Sequence, residues 1–230
     1  MTKISSYIFD LSPKKLAAYL VIGPLVLFLV HTITTIGFRT ISQNQSSNQI
    51  AVQVILGILA ILLGVFVLLW LFWLRSTVHT VEEAQLGVAR KWFKIAYTFL
   101  WFFILYNIVA SIIESLAESG DWNDEYMYLI YASREFVNFS GIMIAYPIVC
   151  HYAARATMAN RSGNPATFVN AIPFTLLLIF GTALGIPFIH NYFSTNASKN
   201  SEIIIIYAIG FGLFIFILVI GFLAAITGMV

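Results

Sequence analysis

Residues 50–74 read IAVQVILGILAILLGVFVLLWLFWL, with no charged residue and a single amide, Gln53. A bilayer crossing needs about 20 consecutive, mostly apolar residues, and this run exceeds it. Five more windows qualify: 16–38, 93–114, 131–153, 168–190 and 203–230. The window at 131–153 reaches full length only when it starts at Tyr131, because Arg134 and Glu135 interrupt its beginning. The expectation is an all-α polytopic membrane protein: a six-helix transmembrane bundle in one domain, 16–230, behind a short juxtamembrane segment, 1–15.

Composition agrees. The chain of 230 residues is 60% hydrophobic and 10% charged, against about 45–50% apolar and about 25% charged in soluble domains. Mean hydropathy is +0.90. These values exclude a soluble globular enzyme, a disordered chain and a DNA-binding module. The single cysteine, Cys150, excludes an internal disulfide framework and a cysteine-based zinc site. The first apolar run is longer than the 7–15 residues of a signal-peptide core, and no small-x-small cleavage site follows it, so it reads as a retained helix.

Basic residues set the orientation. With six crossings and the N-terminus inside, nine of the 12 Lys and Arg lie on the inner face, and Arg39, Arg134 and Lys199 lie outside. Both termini are therefore expected in the cytoplasm, with a bacterial inner membrane as the host. Glu114, Glu118, Asp121, Asp124, Glu125, Glu135 and Glu202 would make the outer mouth acidic.

Local signals add detail. Ile4, Tyr7, Ile8 and Leu11 recur at helical spacing before Ser12-Pro13 breaks the pattern. Thr80-Val-Glu-Glu83 fits a capping box, predicting a helix from Val81 that runs on through Arg90 into the third span. The acidic, aromatic stretch 114–135 suggests a surface helix that turns into the membrane near Ser133. Gly181-Thr-Ala-Leu-Gly185 is a Gly-x-x-x-Gly, the spacing that lets helix backbones approach closely. Gly57, Gly64 and Gly221 are candidates for similar contacts.

Ionisable groups inside membrane spans are functional candidates. Glu114 lies 20 residues beyond Lys94, and Arg134 lies 21 before Arg155 on the next span. At 1.5 Å per residue the two reach one depth. Asn107, Ser111, Glu114 and Glu118 share a face at helical spacing, and so do Arg134, Asn138 and Gly141. A polar seam centred on Glu114 and Arg134, with Glu135 nearby, is expected, serving either to pin two helices or to bind an ion or polar solute. His31 in the first span and His190 at the outer end of the fifth are further candidates. The four histidines show no repeated spacing, so no haem, other cofactor or metal site is expected.

No catalytic constellation emerges: the chain has no Gly-x-Ser-x-Gly, no His-Glu-x-x-His and no phosphate-binding loop. Two functions stay open. One is a non-catalytic subunit or accessory component of a larger membrane complex. The other is a small ion, proton or polar-solute transporter or channel with an acidic outer vestibule. Expected partners are the lipid bilayer and a protein partner or second copy, with no nucleic acid.

Overall fold

In the computed structural model, the described residues are 3–41, 47–117, 124–181 and 184–227. They form nine helical stretches and no strand: α1 (Lys3–Asp10), α2 (13–41), α3 (Ser47–Val78), α4 (Glu83–Leu86), α5 (Arg90–Ala117), α6 (124–162), α7 (Phe168–Gly181), α8 (Ile186–His190) and α9 (Asn200–Ile226). Five of them, α2, α3, α5, α6 and α9, are long and apolar enough to cross a membrane. The chain divides into two compact units, one of residues 1–73 and 181–230, the other of residues 74–180.

Two of the long helices contain a widened turn, each just ahead of a proline. Pro24 follows a π segment at Ala18–Ile22, and Pro147 follows one at Ser140–Ala145. A proline has no N–H and its ring collides with the carbonyl four residues back. Here the preceding residue reaches five back instead: the Gly23 N–H donates to the Ala18 carbonyl, and the Tyr146 N–H to the Gly141 carbonyl. The wider turn absorbs the proline and keeps both helices continuous.

In the first unit, Ser12 caps α2, its hydroxyl accepting from the Lys15 N–H at 3.3 Å, with Pro13 in the first turn. The expected break at Ser12-Pro13 is therefore present. The first turns of α2 pack on the start of α9. Ala17 clusters with Ile203 and Ile206, and Val21 meets Gly210. Residue numbers rise together along both helices, so α2 and α9 run parallel. The Lys14 N–H reaches the Ser198 hydroxyl at 3.3 Å, which places the start of α9 beside the start of α2.

Six spans are not confirmed. The apolar stretch 168–190 is not one helix: α7 stops at Gly181 after 14 residues, and α8 is a separate helix of five. At 1.5 Å per residue α7 is about 21 Å long, short of a bilayer core of about 30 Å. His190, expected at the face opposite the N-terminus, lies against Leu11. With α9 starting there too, its far end points away from the N-terminal end of the unit.

In the second unit, α5 and α6 pack antiparallel. Phe93 stacks near Tyr152 at 5.7 Å, and Phe103 lies over Gly141, where an added Cβ would come within 2.6 Å of the ring. The predicted helix at Val81 starts later. Glu82 is the N-cap of α4, and Gln85 reaches back to the Glu82 N–H at 3.2 Å. The Thr80 hydroxyl instead turns back toward α3, donating to the Thr77 carbonyl at 2.7 Å. Nor does α4 run into α5. It ends at Gly87, whose φ of 65° is left-handed, and a Cβ there would sit 2.7 Å from the Ala166 carbonyl oxygen. The side chain of Arg155, 5% exposed, fixes this turn by donating to the Leu86 and Ala166 carbonyls, each at 2.5 Å. The stretch at 124–139 does not turn at Ser133; it continues as one helix to Ser162.

Close packing therefore falls at glycines other than those singled out by spacing. Gly181 ends a helix and Gly185 caps the next, so the Gly-x-x-x-Gly is not one helical stripe. Gly57, Gly64 and Gly221 have open space around them. At Gly210 an added Cβ would meet Val21 at 2.6 Å, whereas Gly212 faces open space. Gly210→Leu should lower the thermal midpoint of the detergent-solubilised protein, by about 1–3 kcal/mol of overpacking. Gly212→Leu should leave the midpoint unchanged in the same melting experiment.

Candidate functional site

The predicted seam is present between α5 and α6. Arg134 Nη1 donates to both carboxylate oxygens of Glu114, at 2.6 and 2.5 Å. Its Nε donates to Asn107 Oδ1 at 3.1 Å and its Nη2 to the Ser111 hydroxyl at 3.2 Å. The Asn107 amide nitrogen then donates to Asn138 Oδ1 at 2.8 Å and to the Phe103 carbonyl at 2.9 Å. One turn along, Ser133 donates to the Ile130 carbonyl at 2.9 Å, which leaves its oxygen to accept from the Tyr106 hydroxyl at 2.5 Å.

Helical spacing explains the convergence. Asn107, Ser111 and Glu114 recur at 4 and 3 residues on α5, and Arg134 and Asn138 at 4 on α6. A planar guanidinium offers five N–H donors and no acceptor, and here each of its three nitrogens has a partner. The pair is only partly enclosed, with the Arg134 side chain 29% and the Glu114 side chain 19% exposed.

Other candidates fall outside the seam. Glu135 is exposed and takes no part in it. Glu118 lies outside the described residues. His31 packs its ring near Phe28 at 6.2 Å, while Thr32 and Thr35 donate to carbonyls of their own helix. Gly181 and Gly185 flank the break between α7 and α8.

His190 is fully buried, at the centre of a knot that spacing does not reveal. The Trp73 indole N–H donates to its Nδ1 at 3.0 Å. Indole nitrogen is a donor only, so Nδ1 is the bare nitrogen and the proton sits on Nε2. Nε2–H donates to the Leu11 carbonyl at 2.9 Å, which also accepts from the Ser194 hydroxyl at 2.8 Å. Phe9 stacks on the imidazole at 6.0 Å. Burial pushes the imidazole down to about 4, against the opposing pull of the Leu11 hydrogen bond. The ring is therefore neutral, with both nitrogens occupied, and it ties α1 and α8 to the end of α3. Its partners lie 117 and 179 residues away in sequence, beyond the reach of any spacing rule.

Among the described residues no three His, Cys, Asp or Glu side chains converge as a metal site. Cys150 is buried, and burial without a nearby base does not activate a thiol. Comparisons with protein-family models, curated proteins and solved structures find no match.

What this geometry can do is hold two helices at a fixed depth and register. If so, Glu114→Gln and Arg134→Gln should each lower the melting midpoint. The double variant should lose less than the sum of the two, because removing both partners leaves no unpaired charge. Thermal melts of the four proteins in one detergent measure this; strictly additive losses would contradict a working pair.

Proposed function

We propose that the chain is a non-catalytic integral membrane protein that acts as a subunit or accessory component of a larger membrane complex. The observation that carries this reading is the consumption of polar groups inside the spans. Glu114, Arg134, Asn107 and His190 are all engaged with partners from the chain itself. A reacting or solute-binding site keeps polar groups directed at an empty position. These are directed at one another.

The long helices also carry broad apolar faces, with Ile61, Phe136, Phe211 and Phe222 among the most exposed large residues. Within a bilayer such faces meet lipid or neighbouring helices equally well. They supply the contact area that assembly needs.

A five-crossing topology in a bacterial inner membrane goes with this reading. The N-terminal end is cytoplasmic, both ends of the stretch 168–190 return to that side, and the far end of α9 is outside. Under it Lys199 joins the cytoplasmic set. Ten of the 12 basic residues then lie inside, with only Arg39 and Arg134 outside. The basic-residue rule is obeyed more closely than with six crossings.

A second reading is a small transporter or channel with an acidic outer vestibule at the seam. The partial exposure of Glu114 and Arg134 favours it. The mass of the particle purified from its native membrane in mild detergent separates the two. A stable assembly far above 25.7 kDa containing other polypeptides is the expected result. A particle made of this chain alone, together with flux in reconstituted vesicles that Glu114→Gln abolishes, would overturn the subunit reading in favour of transport.

A further inference from the structure

A cavity of about 830 Å³ opens on the second unit between α5, α6 and α7. That volume is in the range of sites for small organic ligands. Its walls are almost wholly apolar, with Trp92 and Phe99 from α5, Ile144 and Ile148 from α6, and Phe168 at the start of α7. The polar side chains among them are His151, Ser140, Tyr152 and Thr175, and the Tyr152 and Thr175 hydroxyls donate to the Ala89 and Ala171 carbonyls.

One proton arrangement makes every contact around the His151 imidazole a hydrogen bond. The Thr175 hydroxyl lies 2.9 Å from His151 Nδ1, and it donates to the Ala171 carbonyl at 2.8 Å. A hydroxyl has one proton to give. With that proton on Ala171, Nδ1 carries the ring proton and donates to Thr175, and Nε2 is left as a bare lone pair. Nε2 is buried and has no partner. The ring of Phe168 packs against the imidazole at 4.8 Å. Phe168 is itself 62% exposed, so its ring can turn aside with little loss of packing.

The nature of an occupant follows from these walls. Two of them belong to helices long and apolar enough to cross a membrane, Arg90–Glu114 and Glu125–Ser162, so lipid is an available occupant. Water is poorly matched to a surface that is almost wholly apolar. A plain hydrocarbon chain would fill the space but leave Nε2 unpaired. A carboxylate or phosphodiester accepts hydrogen bonds and offers no proton. A hydroxyl group on a long apolar body satisfies both the walls and the nitrogen.

We propose that this cavity binds a lipid alcohol. Its apolar chain lies between Trp92, Phe99, Ile144 and Ile148, a run of about 10 Å along α5 at 1.5 Å per residue, and its hydroxyl donates to His151 Nε2 once the Phe168 ring turns aside. The subunit reading does not depend on this site, nor the site on that reading.

The test uses the whole protein in nanodiscs and a hexadecan-1-ol probe with a photoactivatable diazirine in its chain. Crosslinks should concentrate on the cavity walls of α5 and α6. Unlabelled hexadecan-1-ol should compete about fivefold better than its methyl ether, which matches one ordinary hydrogen bond. His151→Phe should erase that preference, and Ile148→Trp should reduce labelling by both by filling the cavity. Equal competition by alcohol and ether on the unmodified protein would overturn the proposal, as would crosslinks spread evenly over all lipid-facing helices. The comparison on the unmodified protein decides the matter even if a variant fails to fold.

Discussion

Hydrocarbon offers no hydrogen bonds, so any backbone carbonyl freed inside a membrane protein must be satisfied from within. This constraint governs how the chain can interrupt its helices. Where α7 ends, the Tyr146 hydroxyl donates to the Leu178 carbonyl at 2.7 Å and reaches that of Ile179 at 3.5 Å. Where the chain resumes, the Tyr207 hydroxyl donates to the Leu184 carbonyl. After α1, the Leu11 carbonyl takes protons from both His190 and Ser194. After α4, Arg155 takes up the Leu86 carbonyl. Each unpaired carbonyl would otherwise cost about 1–3 kcal/mol, enough to favour a continuous helix over a broken one. The breaks persist because specific side chains close them.

The prolines show the same constraint met by backbone alone. Pro24 and Pro147 do not break their helices because a wider turn just before each one repositions the hydrogen bonds. Both places also bring in an aromatic ring. An added Cβ would come within 2.6 Å of Phe66 at Gly23 and of Phe103 at Gly141, so a glycine at each accommodates the neighbour. The seam beside Gly141 adds charge to this packing. Its ion pair sits where both side chains keep some exposure, which lowers the cost of desolvating them.

Features set by one helix's own periodicity were legible in the sequence. The faces bearing Asn107, Ser111 and Glu114, and Arg134 and Asn138, follow from spacing, and their common depth follows from a fixed rise per residue. The cap at Ser12 follows from local chemistry. The split of 168–190 was hidden because hydropathy sums a window and is blind to a break inside it. The tyrosines that make the break tolerable lie 32 and 23 residues away. The capping box slipped by two residues because Thr80-x-x-Glu83 and Glu82-x-x-Gln85 compete in one stretch, and the Thr80 side chain points back to the preceding helix. His190, read as the end of a crossing, lies against Leu11, a partner 179 residues away that spacing does not reveal.

These features describe a membrane protein whose polar seam and His190 knot close on the chain's own groups. The central claim is that α2 and α9 start side by side and run the same way within the first unit. Labelling a single cysteine with a membrane-impermeant maleimide tests it, in a background where Cys150 is replaced by alanine. The account predicts that Ala197→Cys and Lys14→Cys react from the same side of the membrane. Reaction of the cysteine at 197 from the side opposite the one at 14 would contradict it and restore six crossings.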